Sequence, residues 1–410
     1  MNNSTVFSTA DSRRPSRPAL WVAILGVLFV GLNLRPAITS VAFVLPQIRS
    51  DYALGATAAG LLTTVPLLAF VLFSLQVPRW GRKSGIARLI LVALMLLAVG
   101  FAIRMVPSAT ALFIGMAVCG AAITVGNVLL PAFIKSRYPD HGGILTGVYT
   151  VSLYAGPALA SALTVPMYQA TGSWRVALLG WGILIVIAIP LWLPQIGRAR
   201  ITGGVPAGQR VGGTVKLRRI FTRPLAWSVT VYFAVLSVLF FTVSAWLPTM
   251  FVARGFGEAA GGTALTTVNL VAIPCALVVS ILVHRSTNQV WATTIGSIGL
   301  AVGIAGLYFG SQSSMLLWAT VFGIGHGTAT GIAFSLAMLR TRTADGTAAL
   351  GAMSQTAGYT LSAIGPVGAG LLHDLTGTWS SLVILLVLIT PVQCVAGFMA
   401  GRPVKLEDQL

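Results

Sequence analysis

Twelve apolar stretches run from Leu20 to Ala400, and away from their ends they hold a single charged side chain, Arg35. In the first half they are Leu20 to Leu45, Ala56 to Val77, Ile86 to Arg104, Thr110 to Ile134, Ile144 to Ala170 and Val176 to Ile196. In the second they are Leu225 to Val252, Gly261 to Val283, Val290 to Gly310, Ser314 to Leu339, Thr347 to Leu372 and Trp379 to Ala400. Each can cross a hydrocarbon core of roughly 30 Å as a helix, and none alternates polar and apolar residues as a barrel strand does. A soluble domain is excluded by 56% hydrophobic and 8% charged residues. An all-α membrane protein of twelve transmembrane helices is expected.

The net charge of +18 does not indicate nucleic acid, because the basic residues are sorted by membrane side. If odd-numbered spans start inside, all but five of the 26 Lys and Arg residues fall on the inner side. The exceptions are Arg49, Arg104, Arg175 and Arg254 outside, and Arg35 within the membrane. That bias places both termini in the cytoplasm, with anionic lipid headgroups rather than nucleic acid as partners of the charge. Cys119, Cys275 and Cys394 lie inside apolar stretches and read as buried small residues.

The polar, basic, acid-free segment 197–224 reads as a cytoplasmic linker between bundles 20–196 and 225–401, with short tails 1–19 and 402–410. Short internal repeats support two related halves. Leu62-Thr-Thr-Val65 recurs as Leu265-Thr-Thr-Val268, Leu45-Pro46 as Leu247-Pro248, and Thr171-Gly-Ser-Trp174 as Thr376-Gly-Thr-Trp379, at nearly constant offsets. Such halves rock about a binding site near the bilayer midplane.

Arg35 costs about 2.5 to 3.5 kcal/mol on insertion scales, and no carboxylate inside any span can compensate it. A cation facing a cavity suits an anion or an electron-rich polar group, and the planar guanidinium fits a nitro group, a carboxylate or a small linear anion. The alternative is structural: Arg35 could bond carbonyls freed by Pro36 and tie the first span to a neighbour.

Several motifs make the chain similar to the major facilitator superfamily, in particular its bacterial cyanate permease and 2-nitroimidazole transporter group. They are Asn33-Leu-Arg-Pro-Ala-Ile-Thr-Ser40, Gly60-Leu-Leu-Thr-Thr-Val-Pro-Leu-Leu-Ala-Phe70, Gly126-Asn-Val-Leu-Leu-Pro-Ala-Phe-Ile-Lys135, Trp246-Leu-Pro248, Ser354-Gln-Thr-Ala-Gly-Tyr359 and His373-Asp374. The second, fourth and eleventh spans look closer to the nitroimidazole member. The resemblance implies two pseudo-symmetric six-helix bundles in a bacterial inner membrane and a cavity lined by spans 1, 4, 7 and 10. It brings forward Asn33 and Arg35, Asn127, Tyr232 and His326 as candidate binding residues, with Tyr149 and Tyr154 on the fifth span and Gln355 and Tyr359 on the eleventh. His326 is also a candidate proton carrier, being titratable and deep in the membrane; alternatively it is a packing residue. In the loop Ser74-Leu-Gln-Val-Pro-Arg-Trp-Gly-Arg-Lys83, Ser74 and Pro78 stand where the superfamily usually has Gly and Asp, so a gate latched by that Asp is not expected.

No phosphate-binding Gly-rich loop, metal-ligand spacing or nucleophile triad is present. The expectation is therefore a secondary transporter for a small molecule, not an enzyme, without cofactor or metal, acting as a monomer. Cyanate uptake, broader drug export and a sensor that binds without transport stay open, as do direction and coupling ion.

Overall fold

The computed structural model describes residues 17–54, 56–201, 217–257 and 259–409. Much of the expected linker, including Arg210 and Lys216, and most of the N-terminal tail, with Arg13 and Arg14, lie outside the described residues.

The first half comprises α1 (Arg17–Asn33), α2 (Pro36–Phe43), α3 (Leu45–Tyr52), α4 (Ala56–Phe73), α5 (Val77–Ser84), α6 (Ile86–Ile103), α7 (Ala109–Arg137), α8 (Gly142–Thr171), α9 (Trp174–Gly180) and α10 (Ile183–Ile201). A short α11 (Leu217–Ile220) leads to α12 (Pro224–Ala253), α13 (Ala259–Arg285), α14 (Val290–Phe309), α15 (Met315–Leu339), α16 (Ala344–Thr376) and α17 (Trp379–Gly401). Among the described residues ten helices are long and apolar enough to cross a membrane. The other two expected spans are α4, of which Thr64–Phe73 forms a shorter apolar run, and α16. At 33 residues α16 has ample length, but Ser354, Gln355, Thr356, Tyr359, Thr360 and Ser362 make its middle polar.

Two expected spans are interrupted. The first breaks at Leu34 and Arg35, where Pro36 cannot donate a backbone bond and disfavours helical geometry before it, so Arg35 caps α2 rather than continuing α1. The sixth breaks at Trp181 and Gly182, between α9 and α10. Large apolar side chains remain exposed on outer helix faces, among them Leu72, Val367 and Leu375. Such surfaces suit acyl chains.

The repeated Thr-Gly-Ser/Thr-Trp sequences build the same turn twice. α8 and α16 each end on a left-handed glycine, Gly172 (φ 66°) and Gly377 (φ 68°). In each turn the threonine hydroxyl donates back into its helix: Thr171 to Met167 O, Thr376 to Leu372 O. A tryptophan then opens the following helix. Only glycine takes that φ without a Cβ penalty, which explains the shared sequence.

Within the first half α1 packs on α8 and α10, and α7 on α4 and α6; within the second, α12 packs on α16 and α17, and α15 on α13 and α14. The halves meet along α8 against α13 and along α4 and α7 against α16. The bundle has two ends. One carries the α7–α8 and α15–α16 turns with the C-terminal tail, and is called here the linker face; the opposite end carries the turns at Gly172, Gly255 and Gly377 and is the far face.

Candidate functional site

The break in the first span creates the site. Where the backbone leaves helical geometry, α8 comes close: a Cβ on Gly156 would lie 3.0 Å from Pro36 Cδ, 3.2 Å from Leu32 O and 3.4 Å from Arg35 Cβ. Arg35 lines a cavity of about 440 Å³ enclosed by both halves, and Thr39, one turn on, joins it. On α12 the wall is Phe233, Ser237, Phe240, Phe241 and Ser244, a stripe at helical spacing. α15 contributes His326, Thr330 and Phe334, each four residues from the last, and α13 contributes Leu265 and Asn269.

The Arg35 guanidinium donates from Nη2 to Tyr359 Oη (3.2 Å) and lies 5.9 Å from the centroid of that ring. Among the described residues no carboxylate pairs with it; Asp51, Asp374 and Asp408 are in ion pairs with other partners. The side-chain bond of Arg35 goes to a phenol across the interface between the halves rather than to a freed backbone carbonyl, so it also ties the first span to α16. His326 is buried (4% exposed), its ring flat on Phe240 at 4.0 Å and 3°, with Tyr154 edge-on at 5.5 Å. Its Nδ1 has no hydrogen-bond partner among the described residues.

Arg35, His326, Tyr359 and Tyr154 therefore share the cavity. The remaining sequence candidates do not line it. Asn33 is buried and donates to Phe29 O one turn back (2.7 Å). Tyr232 is fully buried and turned toward α17, where a Cβ on Gly397 would lie 2.9 Å from its Cε2. Asn127, Tyr149 and Gln355 form a polar knot: Tyr149 Oη donates to Asn127 Oδ1 (2.9 Å) and Gln355 Nε2 to Asn127 O (3.2 Å). Tyr149 also meets Phe334 edge-on at 5.3 Å, which places the knot against the cavity floor. Thr39, Thr330 and Asn269 were not singled out from sequence. Four-residue spacing from Arg35 and from His326 is the signal that finds the first two.

The linker face is shut. At the end of α7, Lys135 Nζ donates to the carbonyls of Met338 (2.5 Å), in the last turn of α15, and of Thr341 just beyond it, so an amine of one half faces the negative helix terminus of the other. Thr146 Oγ donates to Met338 Sδ (3.2 Å), and Ser74 bonds Thr356 across the halves. The latch thus comes from Lys135 and Ser74, in keeping with Pro78 having replaced the usual carboxylate. Behind it the C-terminal tail folds back: Leu406 N donates to Arg340 O (2.7 Å), and Glu407 Oε1 accepts from Arg342 N (2.8 Å) and Thr343 N (3.2 Å). Arg340 donates to Gln289 Oε1, Ala400 O and Gly401 O, and burial pushes its guanidinium down to about 10. Burial and then the Arg340 charge lower the Lys405 amine, against an opposing pull from Glu407.

One cation differs from the sequence expectation. Arg104, counted on the outer side as the last residue of the third span, is completely buried at the end of α6. Its Nη1 donates to Ala37 O (2.9 Å) and its guanidinium covers the Phe101 ring at 4.1 Å. Gly115 on α7 leaves room for it, since a Cβ there would lie 2.5 Å from Arg104 Cγ. Arg35 is thus not the only cation within the bundle, but Arg35 is the one that lines the cavity.

Comparison with known proteins agrees with this architecture. The sequence profile described as Major Facilitator Superfamily matches residues 25–366. The chain is 36% identical to the uncharacterized transporter YycB of Bacillus subtilis (strain 168), over 94% of each chain. It is 34% identical to the 2-nitroimidazole transporter of Escherichia coli (strain K12), over 94% of this chain and 97% of that one. The Escherichia coli fucose:proton symporter FucP superposes with a TM-score of 0.72 at 14% identity, covering 93% of this chain and 99% of its own, a likeness of fold. Ten long apolar helices among the described residues, in an arrangement consistent with twelve spans, a cavity between the two halves, and relatives aligned along almost the whole chain lead to one conclusion: the protein is a member of the Major Facilitator Superfamily, a multi-pass membrane transporter rather than an enzyme.

Proposed function

We propose that this chain is a secondary transporter that carries a small planar organic compound of the 2-nitroimidazole kind by alternating access. In this reading 20–196 and 225–401 are the two moving bundles, 197–224 is the linker between them, and the linker face is cytoplasmic. One observation carries the reading: Arg35, without a carboxylate partner, lines a cavity whose opposite wall is aromatic. The guanidinium can hold a nitro or carboxylate end, while Phe233, Phe240 and Phe241 supply an aromatic wall for a flat ring.

Cavity size favours an aromatic substrate over cyanate. A three-atom anion occupies roughly the volume of one or two waters, ~30 to 60 Å³. That leaves most of the 440 Å³ and the whole phenyl stripe without a role. The cavity falls in the range of sites for small organic ligands, roughly 300 to 1,000 Å³. The identity with the 2-nitroimidazole transporter supports the same choice.

The test is accumulation of labelled 2-nitroimidazole and of labelled cyanate in cells with and without the protein. A protein-dependent change in net 2-nitroimidazole content is expected, and its sign gives the direction. A change for cyanate alone would overturn the substrate, and binding without flux into sealed vesicles would make the protein a sensor.

A further inference from the structure

The charge inventory of the cavity constrains how a transport cycle can close. Arg35 brings a guanidinium to the cavity, and the hydroxyl, phenol and amide groups that share it from other elements include no carboxylate: Tyr154 on α8, Ser237 and Ser244 on α12, Asn269 on α13, Thr330 on α15 and Tyr359 on α16. His326 supplies no compensating charge either, since an imidazole is neutral or cationic, and its ring lies flat on Phe240 with no partner at Nδ1 among the described residues to hold a proton's charge. Among the described residues the acidic side chains, Asp51, Asp140, Asp345, Asp374, Glu407 and Asp408, all fall at or beyond helix ends, and the two on α16, Asp345 and Asp374, occupy its first and last turns. Among the described residues the bundle interior therefore holds no carboxylate to take up a proton's charge.

We propose that the site carries its ligand as a monoanion and works by exchange, one anion inward against one outward, with no proton moved by the protein; the proposal rests on the transport reading above. To pass between its two open forms, the protein must close both walls around Arg35. Empty, the guanidinium then loses its water and keeps one phenol oxygen, that of Tyr359. An anionic ligand supplies the missing partner and travels as part of a neutral pair. The empty carrier therefore returns slowly. The insertion penalty of a lone arginine corresponds to a slowing on the order of 100-fold. The substrate class follows: planar compounds with one negative charge, such as the ring-deprotonated form of 2-nitroimidazole, whose proton stays in water.

The experiment uses the purified full chain in proteoliposomes at equal internal and external pH, with labelled 2-nitroimidazole outside. The lumen holds either zwitterionic buffer alone, unlabelled 2-nitroimidazole, or sodium cyanate. Exchange predicts initial uptake roughly 100-fold faster into vesicles loaded with 2-nitroimidazole than into buffer-only vesicles. Acceleration by cyanate as well extends the counter-substrate to small inorganic anions and supports recognition of charge. Equal rates into loaded and buffer-only vesicles overturn exchange while leaving transport intact. Uptake into buffer-only vesicles that matches the exchange rate once an inward proton gradient is imposed overturns it in favour of proton coupling. No uptake in any arm overturns both this inference and the proposed substrate.

Discussion

Replacing Lys135 by Met should open the linker face. The structure gives the amine two carbonyl partners on the opposite half, Met338 O and Thr341 O, both at the terminus of α15. A hydrogen bond involving a charged group contributes about 1.5 to 3 kcal/mol net. Because the amine regains water when the halves separate, one such bond is the appropriate measure of what the closed form loses. That shifts the balance between forms by roughly 10- to 150-fold. Thr146 reports it: the residue is fully buried in the closed seam and donates to Met338 Sδ. In a background with Cys119, Cys275 and Cys394 replaced, Thr146→Cys should react slowly with a water-soluble thiol reagent applied from the linker face. Adding Lys135→Met should raise that rate by about tenfold or more. An unchanged rate in a variant that still reaches the membrane in normal amount would refute the latch.

Two further predictions concern the wall and the tail. Phe240→Ala removes the ring stacked on His326 and should weaken binding of 2-nitroimidazole by about 0.5 to 1.5 kcal/mol beyond lost area, with cyanate little affected; equilibrium binding to both ligands checks this. Glu407→Ala strips the acceptor from Arg342 N and Thr343 N at the start of α16 and should lower stability by about 1 to 2 kcal/mol, read as a reduced Tm in detergent, with binding at the cavity unchanged.

Much of the architecture was legible because a bilayer imposes a coarse rule, and long apolar runs can be read without knowing their neighbours. The repeated turn was legible for a similar reason, as Gly172 and Gly377 each satisfy a local backbone requirement. Arg35 stood out because an isolated charge in such a run is conspicuous. The orientation of neutral polar residues was not legible. Asn33 and Asn127 both donate to the carbonyl four residues earlier, so a polar side chain in a span can satisfy its amide locally and never face a cavity. Tyr232 shows the same limit, since helix membership alone does not fix which way a ring points. The burial of Arg104 was missed because a cation at the end of a span reads as solvent-facing, and only the tertiary fold wraps Phe101, Met116 and Ala37 around it. The Lys135 latch joins residues more than 200 positions apart, a distance at which local pattern carries no information.

The central claim is that Arg35 serves the ligand rather than the fold, and its most direct test is abundance and flux measured together on the same membranes for Arg35→Ala and Arg35→Lys. The guanidinium has only the Tyr359 hydroxyl as a protein hydrogen-bond partner among the described residues, so its removal deprives the empty protein of little. Both variants should be present at near-normal abundance. Arg35→Ala should lose transport, with ligand binding weakened by about 2 to 5 kcal/mol, and Arg35→Lys should be severely impaired because a point-charge ammonium cannot reproduce the planar fork. Normal flux per molecule in Arg35→Ala, or lowered abundance with ordinary affinity in what remains, would contradict the account.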